Sequence, residues 1–136
     1  MKITETIILV SGILKNQKSE ILLVKRSKNN KSFKEFWQLP EGKIQPGEQP
    51  LETLARELNE ELSCQLISAQ PIATSTAIIS FEGKIYHLVR MGFKVKWEGK
   101  IILSEEHHDY QWVSIDKAIK IPNLVDGTKE ILLSLK

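Results

Sequence analysis

The chain has 136 residues, of which 41% are hydrophobic and 26% are charged, and its formal net charge is +2. These values predict one soluble globular domain over residues 1–136, with a core that needs no disulfide or structural metal, and they give no indication of a nucleic-acid-binding or membrane-surface protein. The single cysteine, Cys64, excludes an internal disulfide and a multi-cysteine zinc site, so a reducing, cytoplasmic compartment is expected.

The first third of the chain is predicted to form two strands and an irregular connection. Residues 6–14 and 21–24 are apolar and rich in β-branched side chains, so both are expected to be buried strands. The polar, lysine-rich residues 27–35 are expected to form a mobile loop, and residues 36–40 a short extended piece. Residues 40–47 contain two prolines and two glycines, a composition that indicates a shaped turn.

Residues 48–62 are predicted to form an amphipathic helix. Pro50 suits its first turn, where no intrahelical N–H partner is lost. Apolar residues recur at helical spacing and form one stripe. These residues are Leu51, Leu54, Ala55, Leu58 and Leu62.

The second half of the chain is predicted to be a long hairpin followed by smaller elements. Its arms are residues 77–81 and 84–97, joined by a turn. Apolar and polar residues alternate along the second arm, and this alternation assigns Arg90 to the more solvent-exposed face. A strand at residues 110–113 and helices at 116–119 and 128–135 are expected to follow. Strands mixed with helices, with hairpins present, favour an α/β chain of the α+β type, with a mixed sheet covered by helices.

Three carboxylates share one face of the predicted helix. Glu57, Glu60 and Glu61 stand at i, i+3 and i+4, roughly a third of a turn from the apolar stripe. Like charges at this spacing destabilise a helix by a few tenths of a kcal/mol per pair, and a divalent cation between them would reverse that effect. Oxygen ligands favour Mg²⁺, Mn²⁺ or Ca²⁺ over zinc. On this observation alone, a solvated helix face is the commoner outcome.

The upstream spacing favours the metal site over the solvated face. The pattern G-x5-E-x7-R-E-U-x-E-E, in which U is a bulky aliphatic residue, is matched by Gly42, Glu48, Arg56, Glu57, Leu58, Glu60 and Glu61. With this motif the chain resembles the Nudix hydrolases, and the approach WQLPEGK at residues 37–43 resembles their MutT-type branch. The resemblance covers nearly the full chain and implies an α/β/α sandwich with a mixed β-sheet.

The resemblance also implies a metal-dependent hydrolase that cleaves a diphosphate bond. The cofactor would be Mg²⁺, with Mn²⁺ as a substitute. Its ligands would be the carboxylates of Glu57, Glu60 and Glu61 and the backbone carbonyl of Gly42. The substrate would be a small nucleotide-like molecule.

Further roles follow from the same resemblance. Arg56 would pair with a helix carboxylate, with Glu48 as the preferred partner, and hold the loop against the helix by bidentate hydrogen bonds. One more acid is expected after the hairpin, with Glu106 as first choice and Glu105 as second. The general base would be Glu57, Glu60 or Glu106, and the sequence does not choose among them.

Three residues outside the motif are candidates for substrate binding. Arg26 ends the second predicted strand and could bind phosphate, although a solvated strand end is equally compatible. Asn123 stands before the last helix, where some MutT-type enzymes read the purine with an asparagine. Asp126 is an equal counterpart, and both residues also fit turn or cap positions.

Two positions depart from the family pattern. Ser63 replaces the glycine that usually ends the motif helix. A serine with a left-handed backbone would cost ~1 kcal/mol or require another cap. Glu41 stands where many relatives have a second glycine, which makes the turn less permissive.

The expected substrate is a nucleoside triphosphate or a related nucleoside diphosphate derivative, including oxidised or non-standard nucleotides. ADP-ribose, a dinucleoside polyphosphate, a nucleotide sugar and a capped RNA 5′ end are alternatives for the same chemistry. A non-catalytic nucleotide-binding module is the alternative from another class. No nucleic acid is expected beyond an RNA 5′ end, and no membrane, because no apolar run approaches the ~20 residues of a span. A monomer and a homodimer both remain open.

Overall fold

The computed structural model describes the backbone of residues 1–136 and every side chain except that of His108. Four strands precede the longest helix, and three strands and two short helices follow it. In chain order the elements are β1 (Glu5–Leu14), β2 (Ile21–Arg26), β3 (Trp37–Gln38), β4 (Glu41–Lys43), α1 (Pro50–Leu62), β5 (Gln65–Phe81), β6 (Lys84–Glu98), β7 (His107–Val113), α2 (Ile115–Ala118) and α3 (Thr128–Leu133).

The strands form two sheets. One sheet has the order β4-β1-β6-β5, in which β1 and β6 are parallel and the other neighbours antiparallel. The other has the order β3-β2-β7 and is antiparallel. A bridge between Lys15 and Ile21 joins β1 to β2. The predicted α+β class with a mixed sheet is therefore confirmed.

Hydrophobic clusters lie on both faces of the central strands. On β1, Val10 and Ile13 belong to different clusters, as Leu22 and Leu23 do on β2. Side chains alternate across a strand, so a continuous apolar run is buried on both faces. One cluster packs under α1 through Leu58, and the other packs under α2 and α3. This arrangement places helices on both sides of the strands.

Helix α1 begins two residues later than the sequence pattern predicts. Gln49 is extended (φ −81°, ψ 153°) because a residue before proline avoids the helical conformation. Its N–H donates to the Glu52 carboxylate at 2.9 Å, which caps the first turn. Leu51, assigned to the apolar stripe, is 45% exposed, so that assignment is wrong. The buried stripe is formed by Leu54, Leu58 and Leu62.

Ser63 ends α1 with the left-handed backbone that glycine usually supplies. Its φ is 56°. The N–H of Ser63 donates to the Asn59 carbonyl at 3.1 Å, and that of Cys64 to the Leu58 carbonyl at 3.3 Å. These bonds satisfy carbonyls at the helix end despite the missing glycine.

The hairpin is longer than predicted. Strand β5 starts at Gln65, well before residue 77, and it pairs with β6 through two bulges. Bulges interrupt the period-two pattern, so alternation in the sequence reveals only the last part of the strand. Among the described residues, no helix is long and apolar enough to cross a membrane.

Candidate active site

A cleft of about 640 Å³ brings together most of the residues predicted for the site. Its walls come from β4, from α1 and from the segment that precedes β7. Predicted residues that line it are Arg26, Gly42, Arg56, Glu57, Glu60, Glu61, Glu105 and Glu106. The cleft is therefore strongly acidic, and the basic residues in its wall are Arg26, Lys43 and Arg56.

Strand β4 holds Gly42 against the acidic face of α1. Val10 on β1 pairs with Gly42 in register. The space beyond the Gly42 α-carbon is filled by Glu57, and a β-carbon at Gly42 would overlap the Cγ, Cδ and Oε1 atoms of Glu57. Glycine is required here because of this close approach and not because of its backbone angles.

Arg56 connects the loop before α1 to the acidic face of the helix. Its Nε and Nη2 donate to both oxygens of Glu48 at 2.8 and 3.0 Å, so the predicted pair is present and bidentate. Nη2 also donates to the Lys43 carbonyl at 3.2 Å, and Nη1 to Oε1 of Glu57 at 2.7 Å. The Arg56 hydrogen bonds, together with the Gln45 N–H, lower the pKa of Glu48 to about 2.

Glu61 is the buried carboxyl of the cleft. It is 6% exposed, and its Oε2 has no hydrogen-bond partner among the described residues. Burial raises its pKa to about 10, and the neighbouring carboxylates of Glu57, Glu106 and Glu41 add to the effect. A buried oxygen without a donor, surrounded by other carboxylates, fits a hard divalent cation.

The other acidic side chains are not yet arranged around such an ion. No three described His, Cys, Asp or Glu side chains form a ready ligand set. Oε1 of Glu57 accepts from Arg56, and the Glu60 side chain is 59% exposed, 3.5 Å from Arg56 Nη1. The donor chemistry fits the cation, and Glu60 has to turn inward before it can become a ligand.

The backbone of Glu106, the predicted additional acid, is hydrogen-bonded to the loop between β2 and β3. The Glu106 carbonyl accepts hydrogen bonds from the Ser27 N–H and from Nδ2 of Asn30, both at 2.9 Å. The side chains of Glu105 and Glu106 both line the cleft. The sequence did not indicate the contribution of Asn30, because a loop contact across 76 residues leaves no local signal.

A second cavity of about 370 Å³ adjoins the acidic cleft. Four residues line both cavities: Leu9, Arg26, Gln38 and Glu41. The remaining walls of the second cavity are largely apolar, with Ile7, Phe33, Ile79, Phe81, Tyr86, Leu88 and Val125. Arg26 donates from Nε to the Ser32 carbonyl at 3.1 Å and from Nη1 to Gln38 at 3.4 Å. Within the described chain its Nη2 keeps no partner, so it can bind an anion at this boundary.

The two candidates for base recognition lie outside both cavities. Asn123 donates from Nδ2 to the Glu35 carbonyl at 2.9 Å and so ties the loop before β3. Asp126 offers its backbone carbonyl to Nη1 of Arg90 and lies beside the apolar cavity, near Ile79. Neither side chain is brought to the acidic cleft.

Sequence reasoning missed a buried ion pair between Glu41 and Arg90. Nε and Nη2 of Arg90 donate to the two oxygens of Glu41 at 2.9 and 3.1 Å. Arg90 is 1% exposed, so its assignment to the more solvent-exposed face of the hairpin is wrong. The arginine is buried because Glu41 and the Asp126 carbonyl satisfy its donors. The one local sign in the sequence was Glu41 itself, a charged residue in the turn that departs from the family pattern named above.

Comparison with known proteins gives consistent matches. A model of the NUDIX domain matches residues 6–135. The RNA pyrophosphohydrolase of Ruthia magnifica subsp. Calyptogena magnifica is 29% identical over 90% of this chain and 74% of that protein. The nucleoside triphosphatase NudI of Escherichia coli O1:K1 / APEC is 31% identical over 68% of this chain and 71% of that protein.

The fold is also similar to that of a solved structure. The MutT protein from Methanosarcina mazei Go1 superimposes with a TM-score of 0.81 at 29% identity. The match covers 95% of this chain and 91% of that protein. The similarity extends over both sheets and is not confined to the acidic helix.

Proposed function

The chain belongs to the NUDIX domain family, and on that basis we propose that its acidic cleft hydrolyses a diphosphate bond in a nucleoside triphosphate or a related nucleoside diphosphate derivative. The family match, together with the RNA pyrophosphohydrolase and nucleoside triphosphatase relatives, shows that the chain is a hydrolase. One observation carries the proposal further: Gly42, the α1 carboxylates and Glu106 line one cleft that opens into an apolar cavity past Arg26.

Mg²⁺ is the proposed cofactor, with Mn²⁺ as a substitute. Glu57, Glu60, Glu61 and the Gly42 carbonyl would hold it, since all are oxygen donors on one cleft. When bound, the ion would neutralise phosphate charge and lower the pKa of a coordinated water. The unpartnered Oε2 of Glu61 is the strongest support for an ion at this place.

Other residues of the cleft would position the ligands, bind phosphate and accept a proton. Arg56 restrains Glu57 and the Lys43 carbonyl, which keeps the loop and helix in register. Arg26 would bind a phosphate through its free Nη2. Glu57, Glu60 or Glu106 would act as the general base that accepts a proton from water. Exposure favours Glu60 and Glu106 over Glu57, because both are exposed in the cleft whereas Oε1 of Glu57 accepts a short hydrogen bond from Arg56.

The apolar cavity would receive the nucleobase. Its volume lies within the range of roughly 300–1,000 Å³ that small-molecule sites occupy. Phe33, Phe81 and Tyr86 line it and offer aromatic surfaces for a base. Oxidised and non-standard bases fall within this class.

The 5′ end of an RNA, capped or triphosphorylated, is the second candidate substrate. It is favoured by the RNA pyrophosphohydrolase relative, which matches 90% of this chain. ADP-ribose, dinucleoside polyphosphates and nucleotide sugars are alternatives that the same cleft chemistry would serve. A non-catalytic binding module is disfavoured because the acidic set is intact.

The test is a product analysis with Mg²⁺ in ¹⁸O-labelled water. Nucleoside triphosphates, the alternative diphosphate substrates and a short triphosphorylated RNA are incubated with the protein, and products are identified by mass spectrometry. The label shows which phosphorus is attacked. Failure to cleave any of them, with folded protein that binds Mn²⁺, would contradict the proposal.

A further inference from the structure

Glu41 occupies the boundary between the acidic cleft and the apolar cavity. Of the four side chains that line both spaces, it is the only carboxylate among the described residues. Its residual exposure of 8% therefore faces the passage between them. Any ligand bound with one end in each cavity would therefore lie beside this carboxylate.

The Glu41 carboxylate is held rigidly by three donors. Oε1 accepts from the Ser11 hydroxyl and from Arg90 Nε, both at 2.9 Å, and Oε2 accepts from Arg90 Nη2 at 3.1 Å. An ionised carboxylate has about four acceptor positions, so one remains unused. Because Arg90 neutralises the charge of Glu41, a phosphate group can bind nearby without strong repulsion.

We propose that Glu41 accepts a hydrogen bond from a hydroxyl group of the substrate sugar, and that it thereby discriminates against deoxy sugars that lack this hydroxyl. This inference rests on the function proposed above. In a nucleotide the sugar lies between base and phosphates, so a base in the apolar cavity and phosphates in the cleft place the sugar beside Glu41. A carboxylate can only accept there, and the sugar offers hydroxyl donors.

Arg90 and Ser11 act on Glu41 as positioning residues. They fix the acceptor before the substrate arrives, so little conformational freedom is lost on binding. A site built around a fixed acceptor discriminates against a substrate that lacks the donor, because the carboxylate then loses water and gains no partner.

The test measures binding and needs no turnover. Affinities of the wild type are determined by calorimetry for α,β-methylene ATP and GTP and for their 2′-deoxy and 3′-deoxy counterparts. Removal of the contacted hydroxyl should weaken binding about 10-fold or more, the scale of one hydrogen bond to a charged group. Equal affinity for all three sugars would overturn the inference and leave the proposed hydrolysis standing.

Two variants provide the matched comparison. Glu41→Gln keeps the side-chain length and weakens the acceptor. Because neutral hydrogen bonds are about half as strong, it should reduce a sugar discrimination of about 10-fold to about 3-fold. On hydrolysable substrates it should raise KM for the ribonucleotide more than it lowers kcat. Glu98→Gln, an exposed carboxylate at the end of β6, is the control and should keep full discrimination.

The remaining outcomes are also decisive. Undiminished discrimination in a folded Glu41→Gln protein would assign sugar recognition to another residue and refute this role. A changed base preference with unchanged sugar preference would do the same. Failure of every analogue to bind would count against both the inference and the proposed function, whereas the wild-type comparison of sugars tests the inference alone.

Discussion

Gly42 lies against the side chain of Glu57, in the space that a β-carbon at Gly42 would need. This contact brings the backbone of β4 to the acidic face of α1. It explains in steric terms why the motif position is a glycine although its φ is not in the left-handed region. The contact also allows a direct test of the site.

Gly42→Ala is expected to displace Glu57 and disable the cleft. The added methyl group overlaps the Glu57 carboxylate, so a proposed metal ligand has to move. Turnover should fall by ~10²-fold or more, the scale of a lost electrostatic contribution, and Mn²⁺ binding measured by electron paramagnetic resonance should weaken.

The control for this variant is Gly47→Ala in the same loop. A β-carbon at Gly47 meets nothing within 4 Å, but its φ is +86°. This variant should lower the free energy of unfolding by ~1 kcal/mol while metal binding persists. Equal Mn²⁺ affinity in Gly42→Ala and wild type would show that the contact with Glu57 is unimportant for the site.

Glu60→Gln is expected to cut turnover by at least ~10²-fold, through lost proton transfer or charge stabilisation. Because the side chain is 59% exposed, the free energy of unfolding should stay within ~0.5 kcal/mol of wild type. Steady-state kinetics and urea denaturation measure the two quantities. Near-normal turnover would remove Glu60 from the proposed site.

Glu61→Gln is expected to stabilise the metal-free protein at alkaline pH. The pKa of Glu61 in the fold, about 10, lies above its ordinary value of 4.5. Its stabilising contribution is therefore complete below about pH 4.5 and is lost as the pH rises toward 10. The amide resembles the protonated acid, so in EDTA at pH 8 the variant should melt several degrees above wild type, with little difference at pH 4.5.

Addition of metal tests whether Glu61 is a metal ligand or only a buried carboxyl group. Mg²⁺ at pH 8 should raise the melting temperature of wild type, because a ligand that binds only the folded state stabilises it. The rise should be smaller in Glu61→Gln. An identical rise in both proteins would exclude Glu61 from the ligands.

Ser63→Gly is expected to stabilise the protein by ~0.5–1 kcal/mol. Ser63 has a φ of 56°, a conformation that glycine adopts without a β-carbon penalty. Chemical denaturation measures the gain, and Ser63→Ala is the control because it keeps the β-carbon. A loss of stability in the glycine variant would show that the serine side chain contributes to the helix end.

Much of the proposed site could be predicted from the sequence because its spacing is local. Glu57, Glu60 and Glu61 share a face through the helical repeat alone, and the bidentate pair of Arg56 with Glu48 spans only eight residues. The mixed-sheet class was also predictable from the alternation of apolar strands and helical segments. The start of β5 could not be predicted, because its bulges interrupt the alternation of apolar and polar residues.

The sequence alone therefore determined the acidic helix, its motif and the class of fold, since each depends on residues near one another along the chain. Only the tertiary structure decided that Arg90 lies buried against Glu41. That pair joins positions 49 residues apart across the strand order β4-β1-β6. The same packing placed an apolar cavity beside the cleft and left Asn123 outside both. Burial and the meeting of distant strands follow from how the sheets assemble, which no local periodicity encodes.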